Sequence, residues 1–320
     1  MNRLERVKNK QAVIGIVGLG YVGLPLAQAF CQQGIKVIGF DIDQKKIDAI
    51  EEGRSYIKHI DDTVISKMRA DGLIDVTSDF AKIVDVDVII ICVPTPLSKH
   101  REPDLGPVLN TGKLIMPHLQ KGQLVVLESS TYPGTTDTEL AGVLEQSGLK
   151  KDKDFYLAYS PEREDPGNET FSTSTIPKIV GADTPVARKM VAAVYEGVIS
   201  QVVPVASSRT AEAIKLTENI FRSVNIALVN EFKMVMTAMD IDVNEVIDCA
   251  ATKPFGFSVY RPGPGVGGHC IPVDPYYYSD AAEKLGVATP VTHSALSLNT
   301  QMPVWLAGEI SKVFHDRGKK

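Results

Sequence analysis

The segment AVIGIVGLGYVGLPLAQAFCQQG, residues 12 to 34, constrains the fold more than any other part of the chain. A short apolar run of strand formers meets a glycine turn, and a helical pattern follows at once. The turn, Gly18-Leu19-Gly20-Tyr21-Val22-Gly23, is a G-x-G-x-x-G pattern in the strand–turn–helix setting that gives it meaning. Such glycines allow a tight turn and let backbone N–H groups approach a pyrophosphate at a helix N-terminus. VIGFD, residues 37 to 41, reads as the next strand and ends on Asp41, 18 residues past Gly23. A carboxylate there accepts from an adenosine ribose and repels a 2′-phosphate, which predicts NAD rather than NADP.

Three further runs, VDVIIICVP, QLVVLESS and IPKIVGA, read as strands alternating with helical stretches. This is the pattern of a doubly wound parallel sheet, with ligands at the carboxyl ends of the strands. Two polar turns fall there: Val93 to Pro96, which contains Thr95, and Glu128 to Thr136, which contains Ser130 and Thr131. Plain turn chemistry would account for either, since Pro, Ser and Gly are ordinary loop residues. Hydroxyl-rich turns after successive strands favour ligand contact instead.

Length and charge narrow the function classes. A chain of 320 residues suggests two domains. With a net charge of −5, it has no basic field for nucleic acid. No apolar run reaches the roughly 20 residues of a membrane span, and the charged N-terminus MNRLERVKNKQ is unlike a signal peptide. Four cysteines, Cys31, Cys92, Cys249 and Cys270, show no paired spacing, so a reduced, cytoplasmic chain is expected. Cys31 and Cys92 lie in apolar segments and read as packing residues.

From Ser207 to about Met239 there is no Pro or Gly. Ile214, Phe221, Val224, Leu228, Val235 and Met239 recur at helical spacing, and Ser207, Ser208 and Thr210 offer N-caps. A helix of about 30 residues spans about 45 Å, enough to form the spine of a second domain or of a two-fold interface. Lys215, Asn219 and Arg222 share one face, with Asn225 and Asn230 further along. That face reads either as a solvated surface or as a buried polar stripe.

The loop PGPGVGGHCIPVDPYY, residues 262 to 277, combines glycines that admit close backbone approach with prolines that stiffen it. Cys270 sits within it, after His269 and four residues before Asp274. One Cys beside one His is too few ligands for zinc, so no metal is expected. The setting suits a nucleophilic thiol. A dinucleotide domain with a nucleophilic cysteine points to oxidation of an aldehyde through a thiohemiacetal and a thioester.

Together, GLGYVGLPLA, VPTPL, ESSTYPGTT, SPERxxPG, AExxKLxENxFRxVNIALVNE and PGPGVGGHCIPVDPYY resemble the UDP-glucose/GDP-mannose dehydrogenase family, nearest its UDP-N-acetylhexosamine 6-dehydrogenase branch. The resemblance runs along nearly the whole chain. It implies an α/β Rossmann-like NAD-binding domain over residues 1–205 and a helical dimerisation and catalytic domain over 206–305. Residues 306–320 would begin a connection to a C-terminal UDP-sugar-binding domain that this chain lacks, so a truncated chain is expected.

By the same resemblance, Cys270 is the nucleophile, Asp274 helps to position or deprotonate, Lys215 and Asn219 stabilise the oxyanion, and Glu162 serves thioester hydrolysis. Ser130 aligns with the family's catalytic threonine, and Thr131 lies one place on. Gly18, Gly20, Gly23, Asp41, Lys46 and Thr95 fall on NAD positions, with Tyr21, Val22 and Ser130 beside them. Glu162, Arg163, Lys215, Asn219, Arg222, Asn225, Arg261, Gly265 and Gly267 are the implied substrate contacts, and Lys253 or Arg261 stands near where a partner's arginine reaches the sugar. Val273, where UDP-glucose enzymes often carry lysine, and His269 favour an N-acetylated sugar. The implied activity is NAD-dependent oxidation of a UDP-sugar, UDP-N-acetylglucosamine first, to its uronate for surface polysaccharide synthesis by a homodimer. UDP-N-acetylmannosamine and UDP-glucose are the alternatives in the same class. A silent NAD-binding assembly module is the alternative from another class.

Overall fold

A computed structural model describes residues 2–163, 175–268 and 270–316. The chain forms two compact units, residues 1–96 with 104–215, and 97–103 with 216–320. The division falls inside the long helix Ser208–Ala238.

The first unit is built on eight strands: β1 (Ile14–Val17), β2 (Val37–Phe40), β3 (Ile74–Thr77), β4 (Val88–Ile91), β5 (Leu124–Leu127), β6 (Tyr156–Tyr159), β7 (Lys178–Gly181) and β8 (Val202–Val205). They form one sheet in the order β3-β2-β1-β4-β5-β6-β7-β8. Every pairing is parallel except that of β6 with β7, which is antiparallel. The expectation of a doubly wound parallel sheet therefore holds for most of the sheet, with one reversal.

Burial shows why these segments are strands. Along β4 and β5, Val88, Ile90, Leu124 and Val126 pack into one apolar cluster, while Ile89, Ile91, Val125 and Leu127 pack into a second. Successive side chains leave a strand on opposite faces, so both faces of the sheet are covered, as a parallel sheet requires. β3, β6 and β8 lie outside the runs that sequence patterning picks out. β8 carries Pro204, which an edge strand tolerates because one of its sides has no ladder to donate to.

The second unit contains the rest of the long helix and the helices Val243–Ala250, Asp274–Lys284 and Pro290–Asp316. The long helix buries polar residues beside apolar ones such as Leu216, Ala227 and Val229. Glu212, Lys215, Asn219, Ser223 and Asn230 are buried, whereas Phe221, Leu228, Val235 and Met239 are exposed. The two readings of the polar face are thereby decided for Lys215, Asn219 and Asn230, which lie on a buried stripe. Arg222 departs from the expected shared face: it is exposed. No helix among the described residues is long and apolar enough to cross a membrane.

Candidate active site

The glycine turn follows β1 directly. Gly18 takes φ +93°, and a Cβ there would meet the Cys92 carbonyl oxygen at 2.8 Å. A Cβ on Gly23 would lie 2.0 Å from the Gly18 carbonyl oxygen, so packing alone demands both glycines. Gly20 is different: nothing lies within 4 Å of the place its Cβ would occupy. A side chain there would fill open space above the turn, which is the space a dinucleotide needs.

Asp41, buried at the end of β2, accepts from Leu19 N–H at 2.8 Å and Asp43 N–H at 2.9 Å, and pairs with Lys46 Nζ at 2.8 Å. A carboxylate has about four acceptor positions, so these three donors leave room for a ribose hydroxyl. The residues present thus fit NAD. Tyr21 is exposed, and Val22 and Thr95 are half-buried.

The turn after β5 is anchored from the long helix. Glu212 accepts from Gly134 N–H at 2.7 Å, from Thr136 N–H at 2.9 Å and from its hydroxyl at 2.7 Å, and from the Thr131 hydroxyl at 3.4 Å. Burial pushes the Glu212 carboxyl up to about 7, against the downward pull of the Thr136 and Gly134 donors. Thr131 is fully buried, and Ser130 is half-buried beside it.

Glu128, the first residue after β5, opens a second buried cluster. Lys178 Nζ lies 2.9 Å from Glu128 Oε2 and 3.5 Å from Glu162 Oε2, and the Tyr195 hydroxyl donates to Glu128 Oε1. Burial alone would lower the Lys178 ammonium, but the two carboxylates outweigh it and hold it above its ordinary value. Burial, with Glu128 beside it, keeps the Tyr195 phenol well above its usual range, so it acts as a neutral donor. Glu162 is also held through its main chain, whose carbonyl accepts from Lys215 Nζ. Arg163 donates to the Pro177 carbonyl at 2.6 Å. Burial pushes the Cys31 thiol up to about 12 and Cys92 well above its ordinary value, as befits packing thiols.

In the second unit, the cysteine loop hangs on amides. Gly263 N–H donates to Asn230 Oδ1 at 2.9 Å, Asn230 Nδ2 to Asn299 Oδ1 at 3.2 Å, and Asn299 Nδ2 to the Ser223 carbonyl at 3.0 Å. Gly265, at φ +109°, packs so tightly that a Cβ would lie 2.5 Å from the Asn299 carbonyl oxygen. Beyond it, the Cys270 carbonyl accepts from Val273 N–H at 2.9 Å and Asp274 N–H at 2.8 Å, which starts the helix Asp274–Lys284. Asp274 is fully buried and accepts from Asn219 Nδ2 at 2.5 Å. Cys270 itself is half-buried, and Gly267 has open space around it. His269 lies outside the described residues.

The structure thus brings Lys215 to Glu162, Asn219 to Asp274, and Asp274 to the turn of Cys270. Other expected contacts have different partners. Asn225 donates to the Phe221 carbonyl within its own helix. Arg261 pairs with Asp248, and Lys253 lies over the Phe255 ring. Sequence reasoning named neither Glu212, Glu128, Lys178, Tyr195 nor Asn299 as functional. Two of them left a signal: Glu128 opens the polar turn after a strand, and Glu212 precedes Lys215 by three residues and so shares its helix face. Among the described residues, no group of three His, Cys, Asp or Glu gathers to hold a metal.

Comparison with known proteins shows what the chain is similar to. Residues 12–199 match the NAD binding domain of the UDP-glucose/GDP-mannose dehydrogenase family, and residues 209–301 match its central domain. Protein CapL of Staphylococcus aureus is 39% identical over 95% of this chain and 71% of its own length. UDP-N-acetyl-D-glucosamine 6-dehydrogenase of Pseudomonas aeruginosa is 36% identical over 96% of this chain and 72% of its own. The solved structure of a UDP-D-ManNAc dehydrogenase from Pyrococcus horikoshii superposes with a TM-score of 0.89 at 33% identity, covering 96% of this chain and 73% of that one. The chain, with an NAD-binding sheet domain followed by a helical central domain, belongs to the UDP-glucose/GDP-mannose dehydrogenase family and is an NAD-dependent nucleotide-sugar dehydrogenase.

Proposed function

We propose that the protein oxidises the C6 hydroxyl of a UDP-N-acetylhexosamine, UDP-N-acetylglucosamine before UDP-N-acetylmannosamine or UDP-glucose, to the carboxylate. The observation that carries this reading is Cys270 at the end of a glycine loop, one turn before a buried Asp274 that is fixed by Asn219. Relatives named for UDP-N-acetyl-D-glucosamine and for UDP-N-acetyl-D-mannosamine are equally similar, at 36% identity, which supports the acetylated class over either sugar.

NAD, held by the Gly18–Gly23 turn, Asp41, Lys46 and Thr95, supplies the two-electron acceptor for each of two oxidations. Asp274 orients the reacting groups, and the hydroxyls of Ser130 and Thr131 attend the first oxidation. Cys270 Sγ then bonds to the aldehyde carbon, forming a thiohemiacetal whose oxidation leaves a thioester on Cys270. Lys215 and Asn219 donate to the oxygen that carries charge in these steps. Glu162 aids the water that breaks the C–S bond and frees the uronate and the thiol. Alcohol, water and two NAD⁺ thus give carboxylate, two NADH and three protons.

Residues 1–205 serve NAD, and 206–305 serve catalysis and pairing of two copies through the long helix. The exposed Phe221, Leu228, Val235 and Met239 support this pairing, and a monomer in sedimentation at micromolar concentration would sink it. The setting proposed is a cytoplasmic one, in the synthesis of surface polysaccharide precursors.

The test is a linked assay of NADH formed per sugar consumed, run with the three UDP-sugars. Two NADH per sugar with an acetylated sugar is expected, and Cys270→Ser should abolish net turnover while NAD affinity persists. One NADH with free aldehyde, or near wild-type turnover by Cys270→Ser, would overturn the covalent mechanism.

A further inference from the structure

We propose that Lys178 is a positioning residue for Glu162, a buried ammonium that holds the carboxylate while Lys215 holds the main chain of the same residue. The inference rests on the reading above, in which Glu162 serves the hydrolytic half of the reaction.

The geometry argues for more than charge neutralisation. Lys178 lies on β7 with its side chain only 5% exposed, and Glu128 at 2.9 Å, itself wholly buried, already balances its charge. A second carboxylate, Glu162 at 3.5 Å and 16% exposed, makes the cluster net negative and adds repulsion between two anions. Such an arrangement persists only where the second carboxylate is held, and the Lys215 contact to its carbonyl supplies that hold.

Lys178 is itself fixed. The Tyr195 hydroxyl occupies the other oxygen of Glu128, and the Lys178 ammonium stands 5.2 Å from the centroid of the Tyr195 ring. An ammonium has three donors. With one spent on Glu128, the others remain for Glu162, whose carboxylate pairs with the ammonium at 3.5 Å. The pair is largely withdrawn from solvent, so ions screen it little. β7 thereby sets the direction of the Glu162 carboxylate, and the chemistry that Glu162 performs inherits that direction.

The rival explanation is that Lys178 only neutralises Glu128. The double variant Glu128→Gln/Lys178→Met separates the two, because it removes both buried charges together and leaves a neutral pair. If Lys178 positions Glu162, the double variant melts near the wild type but hydrolyses its thioester roughly a hundredfold more slowly, the loss expected for a misplaced catalytic group. An acyl adduct on Cys270 then accumulates in intact-protein mass spectra after a burst of two NADH per site, since both oxidations precede the hydrolysis. Lys178→Arg alone keeps the charge and should restore hydrolysis to within about tenfold of wild type.

A substrate-free arm uses a carbodiimide with glycine amide and reads the labelling of Glu162 by peptide mass spectrometry. Labelling should be several-fold faster in the double variant. In Glu128→Gln alone it should stay at or below the wild-type rate, since Glu162 is then the one carboxylate of the cluster left to pair with Lys178. Wild-type hydrolysis with wild-type labelling in the double variant would overturn the proposal, as would faster labelling in Glu128→Gln alone. If the wild-type chain made no NADH from any of the sugars, the functional reading would fall by itself, and the labelling arm would still decide the role of Lys178.

Discussion

In the first unit the segment carrying Glu162 is anchored by charge, through Lys178, Glu128 and the Tyr195 hydroxyl. In the second, the loop leading to Cys270 is anchored by neutral amides, through Asn230, Asn299 and the N–H of Gly263. Both anchors are buried and both end beside a candidate catalytic residue, yet their physics differs. A buried ion pair roughly cancels its own desolvation and contributes little net stability, but leaving one member unpaired is costly. An amide network has no charge to strand. Its members are directional, and each lost bond costs only the desolvation of the groups left behind. The charged anchor also answers to pH and to neighbouring charges, whereas the amide anchor does not.

The largest effect should come from breaking the charged anchor on one side. Lys178→Met leaves Glu128 buried without its counter-ion, which should cost about 3–5 kcal/mol in chemical denaturation. Glu128→Gln added to it should recover most of that loss. Equal losses in the single and double variants would mean that charge is not what the anchor supplies.

A second, smaller effect should come from Glu212, another buried carboxylate of the first unit. Its carboxyl, ordinarily near 4.5, is raised to about 7 by burial, so the folded chain holds this proton more tightly than the unfolded chain does. Its contribution to stability is therefore complete below about pH 4.5 and is lost as pH rises through about 7. A raise of that size corresponds to roughly 3 kcal/mol as an upper limit. Melting of wild type against Glu212→Gln from pH 4 to 8 should show the wild type losing ground across this window. A difference that is flat with pH would remove Glu212 from the titrating anchors.

The same contrast explains what could be read from sequence. The glycine turn was legible because its demands are local: Gly18 and Gly23 meet atoms fixed by neighbouring strands and by the turn itself. The long helix was legible from its uninterrupted length, and Lys215 and Asn219 from their shared face. The anchors were not. Lys178 reads as one polar residue in an apolar strand, and its partner Glu128 is 50 residues away. Asn230 and Asn299 are separated by 69 residues and lie on different helices. Helical spacing alone also put Arg222 beside Lys215, because periodicity gives a direction around the helix and not the edge of what covers it. Contacts of this kind follow from tertiary packing, which no local pattern encodes.

The smallest effect should come from the amide anchor. Asn230→Ala removes the acceptor of Gly263 N–H, which is part-buried, and the donor to Asn299 Oδ1, which is buried. Leaving those two groups unsatisfied should cost about 1–3 kcal/mol. None of Asn230, Asn299, Gly263 and Ser223 titrates, so the loss should be the same at pH 5 and at pH 8. The function of the anchor predicts a further, local consequence. Gly265 is pressed against the Asn299 carbonyl, and Cys270 follows five residues later, so a loosened network should expose the thiol. Alkylation of Cys270 by iodoacetamide, read by mass spectrometry at fixed pH, should quicken in Asn230→Ala while labelling of Cys31 stays slow. A loss of stability without faster alkylation would make the network a support for the helices alone. A loss that grew with pH would mean that the second unit, too, relies on a buried charge.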